Sequence, residues 1–299
     1  MFRILLLLGI TMVAALPAAA GVSVFACEPE WAALAQEVGG DLIDAKSATT
    51  AQQDPHKIQA RPSLIARMRK ADLVICTGAG LEAGWLPLLL RRANNPSVQP
   101  GKAGYLEAAT TVALLDRPRR LDRAEGDVHA KGNPHIQTSP HNLTVVAKVI
   151  ADRLSMIDPE NVSRYQANLD DFLSRWQSAI ERWEQTAKPL RGMKVVAQHS
   201  SWVYLNQWLG LEQMATIEPK PGVPPGSGHL ARLVDQMQQQ PVQVIIRAAY
   251  QDDAGAEWLS DRTDIPVVVL PFTVGGSEVT TDLFGLFDDT IQKLLASAR

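Results

Sequence analysis

Cysteine is scarce in this chain: two among 299 residues, Cys27 and Cys76. Two thiols are too few to staple a fold or to build a four-cysteine metal site, so the apolar core must supply most of the stability. An excess of positive charge is missing as well. Lys and Arg number 29 against 32 Asp and Glu, a net charge of −3, which offers no basic face for nucleic acid. The signatures H-E-x-x-H, G-x-S-x-G and G-x-x-x-x-G-K-[ST] do not occur, which removes the commonest zinc-peptidase, serine-hydrolase and P-loop assignments. "GAGLEAG" (78–84) spaces its glycines G-x-G-x-x-x-G and reads as a tight turn, not a dinucleotide fingerprint. The serines of "HSS" (199–201) have no oxyanion loop or partnering acid in view, which argues against a serine nucleophile. Long apolar runs are absent beyond the first twenty residues.

Those first residues, MFRILLLLGITMVAALPAAA, combine Arg3, an apolar run over 4–15 and small residues at Ala18-Ala19-Ala20. The run is too short for a membrane span and ends in an A-x-A site, so a secretory signal peptide (1–20) cleaved after Ala20 is expected. No cysteine follows directly, which argues against a lipid-anchored start. The mature chain of about 280 residues is then exported, and long enough for two lobes with proper cores. In an oxidising compartment Cys27 and Cys76 are a candidate disulfide, provided their strands are neighbours.

Strand and helix patterns alternate. "GVSVFAC" (21–27) and "ADLVICTGAG" (71–80) read as buried strands, each followed by a helical pattern, "EWAALAQEVGGD" and "LEAGWLPLLLRRA". Such alternation predicts an α/β unit with a parallel sheet. A different pattern spans 158–188: Asp158 and Pro159 look like a helix start, and Tyr165, Leu169, Phe172, Trp176, Ile180 and Trp183 form one apolar stripe. A helix of roughly thirty residues would be about 45 Å long, enough to brace two lobes. Beyond it, "MKVVAQ", "HLARLVDQMQQQ", "VQVIIRAAY", "GAEWLSDRT", "PVVVLPF" and "LFGLFDDTIQKLLASA" repeat the α/β alternation. The expected fold class is therefore α/β: an N-terminal lobe (21–157), a connecting helix (158–188) and a C-terminal lobe (189–299), with parallel sheets and a cleft between them. Ligands of such sheets gather at the carboxyl ends of the strands.

The six histidines fall into that frame unevenly. His56 in "DPHKIQ" and His135 in "NPHIQ" share the form Asx-Pro-His, and each proline stiffens the backbone that carries the imidazole. His199 follows the strand "KVVAQ", at the end where ligands collect. Three imidazoles on three connecting segments suit a zinc site if they converge; otherwise they are ordinary surface histidines. His141 reads as a capping or solvated residue at a helix start, and His229 as a first-turn surface residue. His129 stands on a Gly-flanked loop and is either a metal-catching residue or a surface one.

The order of these motifs resembles the periplasmic metal-binding proteins of ABC transporters, the zinc and manganese uptake class. "ATTAQQDPHKIQARPSLIARMRKADLVICTGAGLE", "GNPHIQTSPHNLTVVAKVIADRL", "DPENVSRYQANLDDF" and "VVAQHSSWVYLNQWLG" resemble its successive ligand segments and connecting helix, over nearly all of the mature chain. The resemblance implies two α/β lobes on one long rigid helix, metal in the inter-lobe cleft, and ligands at His56, His135 and His199. It also implies a binding protein and not an enzyme: a monomeric receptor delivering its ion to a membrane permease. Histidine at the third position favours zinc over manganese or iron. Two departures stand out. "LPFTVGG" offers no late carboxylate before Glu278, and the loop before His135 carries His129 as its only histidine. A fourth position falls to water, the preferred choice, or to His129, Asp252, Asp253 or Glu278. The rival from another class is a secreted three-histidine zinc enzyme, for which Glu28 is the only poised acid, unless Glu28 simply interacts with a helix start. Affinity is expected to weaken as pH falls through the histidine range near 6.5.

Overall fold

The computed structural model describes residues 21–118, 126 and 129–298, so the expected signal peptide lies outside them. The chain enters on β1 (Val22–Ala26), whose alternate side chains serve two cores: Val22 and Val24 face one, Phe25 the other. A strand buried on both faces is what a near-continuous apolar run encodes in a parallel sheet. Helix α1 (Pro29–Gly39) starts with proline in its first turn, where the missing N–H costs nothing. Then come β2 (Ile43–Ser47), α2 (Pro62–Lys70), β3 (Leu73–Cys76), α3 (Leu86–Ala93) and β4 (Tyr105–Glu107). The four strands are all parallel in the order β2-β1-β3-β4. Helix α3 starts only at Leu86, later than the pattern from Leu81 suggests, because 78–85 is taken up by turns.

Helix α4 (Pro140–Ile157) leads into a 3-10 turn at Pro159–Asn161 and then α5 (Val162–Thr186). The long helix is thus 25 residues of α-helix, about 38 Å, and shorter than the stretch 158–188. Asp158 makes no capping bond. Its carboxylate accepts from Tyr165 Oη (2.7 Å) and Asn161 Nδ2 (2.8 Å) instead. The apolar stripe of α5 is buried along its whole length, and it reaches both lobes. Asn168 Nδ2 donates to the Val38 carbonyl of α1 (3.0 Å) and Trp176 Nε1 to the Pro140 carbonyl of α4 (3.0 Å).

The second lobe repeats the first: β5 (Lys194–Ala197), α6 (Val203–Leu209), β6 (Glu212–Thr216), α7 (Ser227–Gln239), β7 (Val244–Ala248), α8 (Ala254–Thr263), β8 (Val267–Leu270) and α9 (Leu283–Ser297). Its order, β6-β5-β7-β8, is again parallel throughout. Phe284 and Phe287 of α9 pack on Trp176 and Trp183 of α5, with ring centroids 4.9–6.3 Å apart. One apolar core therefore runs from the first sheet through α5 to the second, while separate clusters sit under α2–α3 and under α7–α8. A shared core of interlocked aromatic rings resists bending between the lobes.

Because β1 and β3 are neighbours, Cys27 and Cys76 meet at their carboxyl ends and are disulfide-bonded, Cα atoms 4.7 Å apart. No helix among the described residues is long and apolar enough to cross a membrane.

Candidate metal centre

Each Asx-Pro-His segment builds the same local device. Asp54 Oδ1 accepts from the His56 backbone N–H (3.0 Å) and pairs with its ring Nδ1 (2.7 Å). Asn133 Oδ1 does the same for His135, at 3.1 and 2.8 Å. The short Asx side chain reaches two residues forward, and the intervening proline holds the turn. His199 lies just beyond β5, and its Nδ1 pairs with Glu218 Oε2 (2.7 Å), which also accepts from the Gly222 N–H (2.8 Å). In all three rings an oxygen beside Nδ1 draws the proton there, leaving the Nε2 lone pair free to coordinate a cation.

The three rings converge. One ligand nitrogen from each of His56, His135 and His199 lies within 4.8 Å of the others, and ring centroids are 5.5–5.8 Å apart. The Nε2 atoms of His56 and His135 are buried without any hydrogen-bond partner. Orphaned buried nitrogens are costly, and two aimed at one point leave a place for a cation. The point sits in a cleft of about 400 Å³ between the lobes, lined by Asp54, Gln198, Glu218, Tyr250 and Asp252 among others. His135 is fully buried and its ring edges Phe272 (5.6 Å). Burial, reinforced by the neighbouring imidazoles, holds His135 well below the usual histidine range, so it stays neutral to lower pH than free histidine. Burial works to raise the Asp54 carboxyl, but the hydrogen bond and charge of His56 prevail and hold it down at about 2.

The other expected residues are placed as follows. His129 stands beside the cluster, 5.4 Å from His56 and 6.1 Å from His135 between ring centroids, but outside the group of three ligand nitrogens that lie within 4.8 Å of one another. Asp252 lines the cleft, its Oδ1 accepting from the Ala254 N–H (3.1 Å). Asp253 pairs with Arg247 (3.8 Å), and Glu278 is exposed on its loop. His141 Nε2 pairs with the accepting Glu184 Oε1 on α5 (2.9 Å), and His229 Nε2 lies 3.4 Å from the Thr216 carbonyl oxygen. Glu28 does not cap α1 and is not part of the group of converging imidazoles. It follows β1 as His199 follows β5, but its carboxyl is buried beside Glu82 and accepts from Thr77 Oγ1 (3.2 Å). Burial, then the charges of Glu82 and Glu30, push it far above the usual carboxylate range. Glu30 and Glu82 are pushed up to about 7, chiefly by burial. Cys27, Cys76 and Glu82 form a second tight group of metal-type donors, but the disulfide consumes both thiols.

Four supporting residues escaped the reading of the sequence. Asp54 and Asn133 were legible in the repeated Asx-Pro-His, yet their side-chain role was not drawn from it. Asn133 also joins the lobes: its Nδ2 donates to the Ser200 carbonyl (2.7 Å), and its own carbonyl accepts from Tyr204 Oη (2.6 Å). Glu218 and Tyr204 carry no local signal, since they reach the site only through the fold.

Comparison with known proteins adds the following. Residues 24–297 match the family described as ZnuA, zinc-uptake complex component A, periplasmic. A manganese ABC transporter substrate-binding lipoprotein, PsaA of Streptococcus mitis, is 24% identical over 249 residues, covering 80% of this chain and 76% of its own. A crystal structure of ZnuA superposes with a TM-score of 0.79 at 22% identity, covering 93% of this chain and all of that one. A ZnuA deletion mutant with zinc bound has a TM-score of 0.76 at 23% identity, over 91% and 96% of the two chains.

Proposed function

This chain belongs to the zinc-uptake component A family, the metal-binding substrate-binding proteins of ABC transporters, and within that family we propose that its cargo is zinc. It is a binding protein and not an enzyme. The observation that carries the choice of zinc is the donor set: three imidazoles, each with Nδ1 engaged, converge, and among the described residues no carboxylate joins their group. Nitrogen donors in a compact group suit zinc, whereas manganese favours a larger share of oxygen ligands. The relative that names manganese and the neighbour that holds zinc show that the fold alone does not choose the metal.

In this proposal His56, His135 and His199 hold the ion in the cleft, Asp54, Asn133 and Glu218 orient them, and the chain works as a monomer that delivers zinc to a membrane permease. We place it in the periplasm, exported by residues 1–20, with lobes at 21–157 and 189–299 about the connecting helix 158–188. The Cys27–Cys76 disulfide supports an oxidising compartment.

Metal analysis of protein purified without added metal, followed by competition titration of zinc against manganese, tests the cargo. Zinc should displace manganese, and the triple variant His56→Ala, His135→Ala, His199→Ala should lose tight binding. A triple variant that still held one tightly bound zinc per chain, or manganese outcompeting zinc, would overturn the assignment.

A further inference from the structure

We propose that opening the Cys27–Cys76 bond creates a second metal site, in which the two thiolates and the Glu82 carboxylate hold zinc. Donor atoms of Cys27, Cys76 and Glu82 lie within 4.8 Å of one another, a grouping matched among the described residues only by the three imidazoles. Separate pieces of the N-terminal lobe bring them together: Cys27 directly follows β1, Cys76 ends β3, and Glu82 stands in the turns before α3. The backbone N–H groups of Thr77 (2.7 Å) and Gly78 (3.0 Å) donate to the Glu82 carboxylate and fix it beside the sulfurs. Two thiolates and a carboxylate suit zinc, whereas manganese prefers oxygen donors.

The surroundings favour a cation. Glu28, Glu30 and Glu82 are buried close together, and the charges acting on Glu28 are those of the other two carboxyls. Glu28 Oε1 is buried with no hydrogen-bond partner. Acids packed in this way keep protons unless a cation replaces them, and an ion at Glu82 relieves their repulsion. A cavity of about 830 Å³ beside α3, lined by Gly78, Glu82 and Glu107 among others, leads to Glu82 by a route separate from the inter-lobe cleft. The redox step needs a dithiol. One of its thiolates attacks a cystine sulfur, and its second thiol resolves the mixed disulfide. The dithiol leaves as a cyclic disulfide, having passed two electrons and two protons to Cys27 and Cys76. Zinc uptake then releases both thiol protons. The reduced chain thus holds one ion more than the oxidised chain.

The full chain carrying His56→Ala, His135→Ala and His199→Ala isolates the new site. It is stripped of metal, reduced with dithiothreitol, freed of reductant without air, and titrated with zinc and in parallel with Co²⁺. The oxidised form should take no tightly bound metal. The reduced form should take one ion per chain, with a thiolate-to-cobalt charge-transfer band and two sulfur neighbours in X-ray absorption of the zinc form. Glu82→Gln in the same background keeps an acceptor for the Thr77 and Gly78 N–H groups and should weaken zinc binding by at least about 10-fold. A reduced chain with native circular dichroism, two titratable thiols and no charge-transfer band would overturn the proposal. So would one that unfolds on reduction and does not refold with zinc. Unchanged affinity in Glu82→Gln would remove Glu82 from the site. Failure of the three-imidazole reading looks different: the oxidised triple variant would then still hold zinc tightly.

Discussion

The Asp54–His56 pair allows a quantitative forecast, because the protein contains its own control. The same turn occurs twice, once with a carboxylate (Asp54) and once with an amide (Asn133), and the two Oδ1–Nδ1 distances are 2.7 and 2.8 Å. Replacing Asp54 by Asn should therefore keep the turn and the ring orientation and remove only the charge. Replacing it by Ala removes both. The pair's strength can be read from Asp54 itself, whose pKa falls from 3.8 to about 2 against the opposing effect of burial. That drop corresponds to roughly 2.5 kcal/mol, or about 60-fold in an equilibrium constant, with the Lys57 charge contributing beside His56. It falls inside the 10- to 100-fold range typical of residues that orient a metal-binding histidine. Zinc affinity measured by competition with a chromogenic chelator should thus fall about 10- to 100-fold in Asp54→Ala and by a smaller factor in Asp54→Asn. Each variant should retain one ion per chain. The reasoning is refuted if Asp54→Ala binds zinc like the wild type, or if Asp54→Asn is as weak as Asp54→Ala.

Two further outcomes concern stability. Glu30 titrates near 7 in the fold against 4.5 when solvated, so the folded state holds the extra proton. Its contribution is complete below about 4.5 and is lost as pH rises through about 7. His129, pushed down to about 4 by burial and its imidazole neighbours, acts in the opposite sense, so the comparison is made between variants. Relative to the wild type, metal-free Glu30→Gln should gain about 2 kcal/mol between pH 5.5 and 8 in denaturant unfolding; a difference independent of pH would contradict the burial argument. Opening the Cys27–Cys76 bond, which spans 49 residues of sequence, with a double Cys→Ser variant should cost about 4 kcal/mol of unfolding free energy. A variant as stable as the wild type in non-reducing buffer would refute that.

What sequence alone determined here is everything with a short-range cause. Apolar runs flanked by helical patterns marked β1, β3, β5, β7 and β8, and the stripe from Tyr165 to Trp183 marked α5 as a buried helix. The pairs Asp54–His56 and Asn133–His135 are two residues apart, so their geometry is local and visible as a repeated tripeptide. The edge strands β2 and β6 went unseen because they are half solvated, which dilutes their apolar signal. Tertiary structure decided the rest. Glu218 meets His199 across 19 residues, Asn133 meets Ser200 across 67, and Glu30 meets Thr273 across 243. The disulfide exists because β3 pairs with β1, and the burial that depresses His135 and raises Glu28 and Glu30 exists only once both lobes close on α5. Periodicity and turn chemistry act over a few residues and are written in order along the chain. Convergence, charge environment and the completeness of a metal shell depend on which distant segments become neighbours, and only packing sets that.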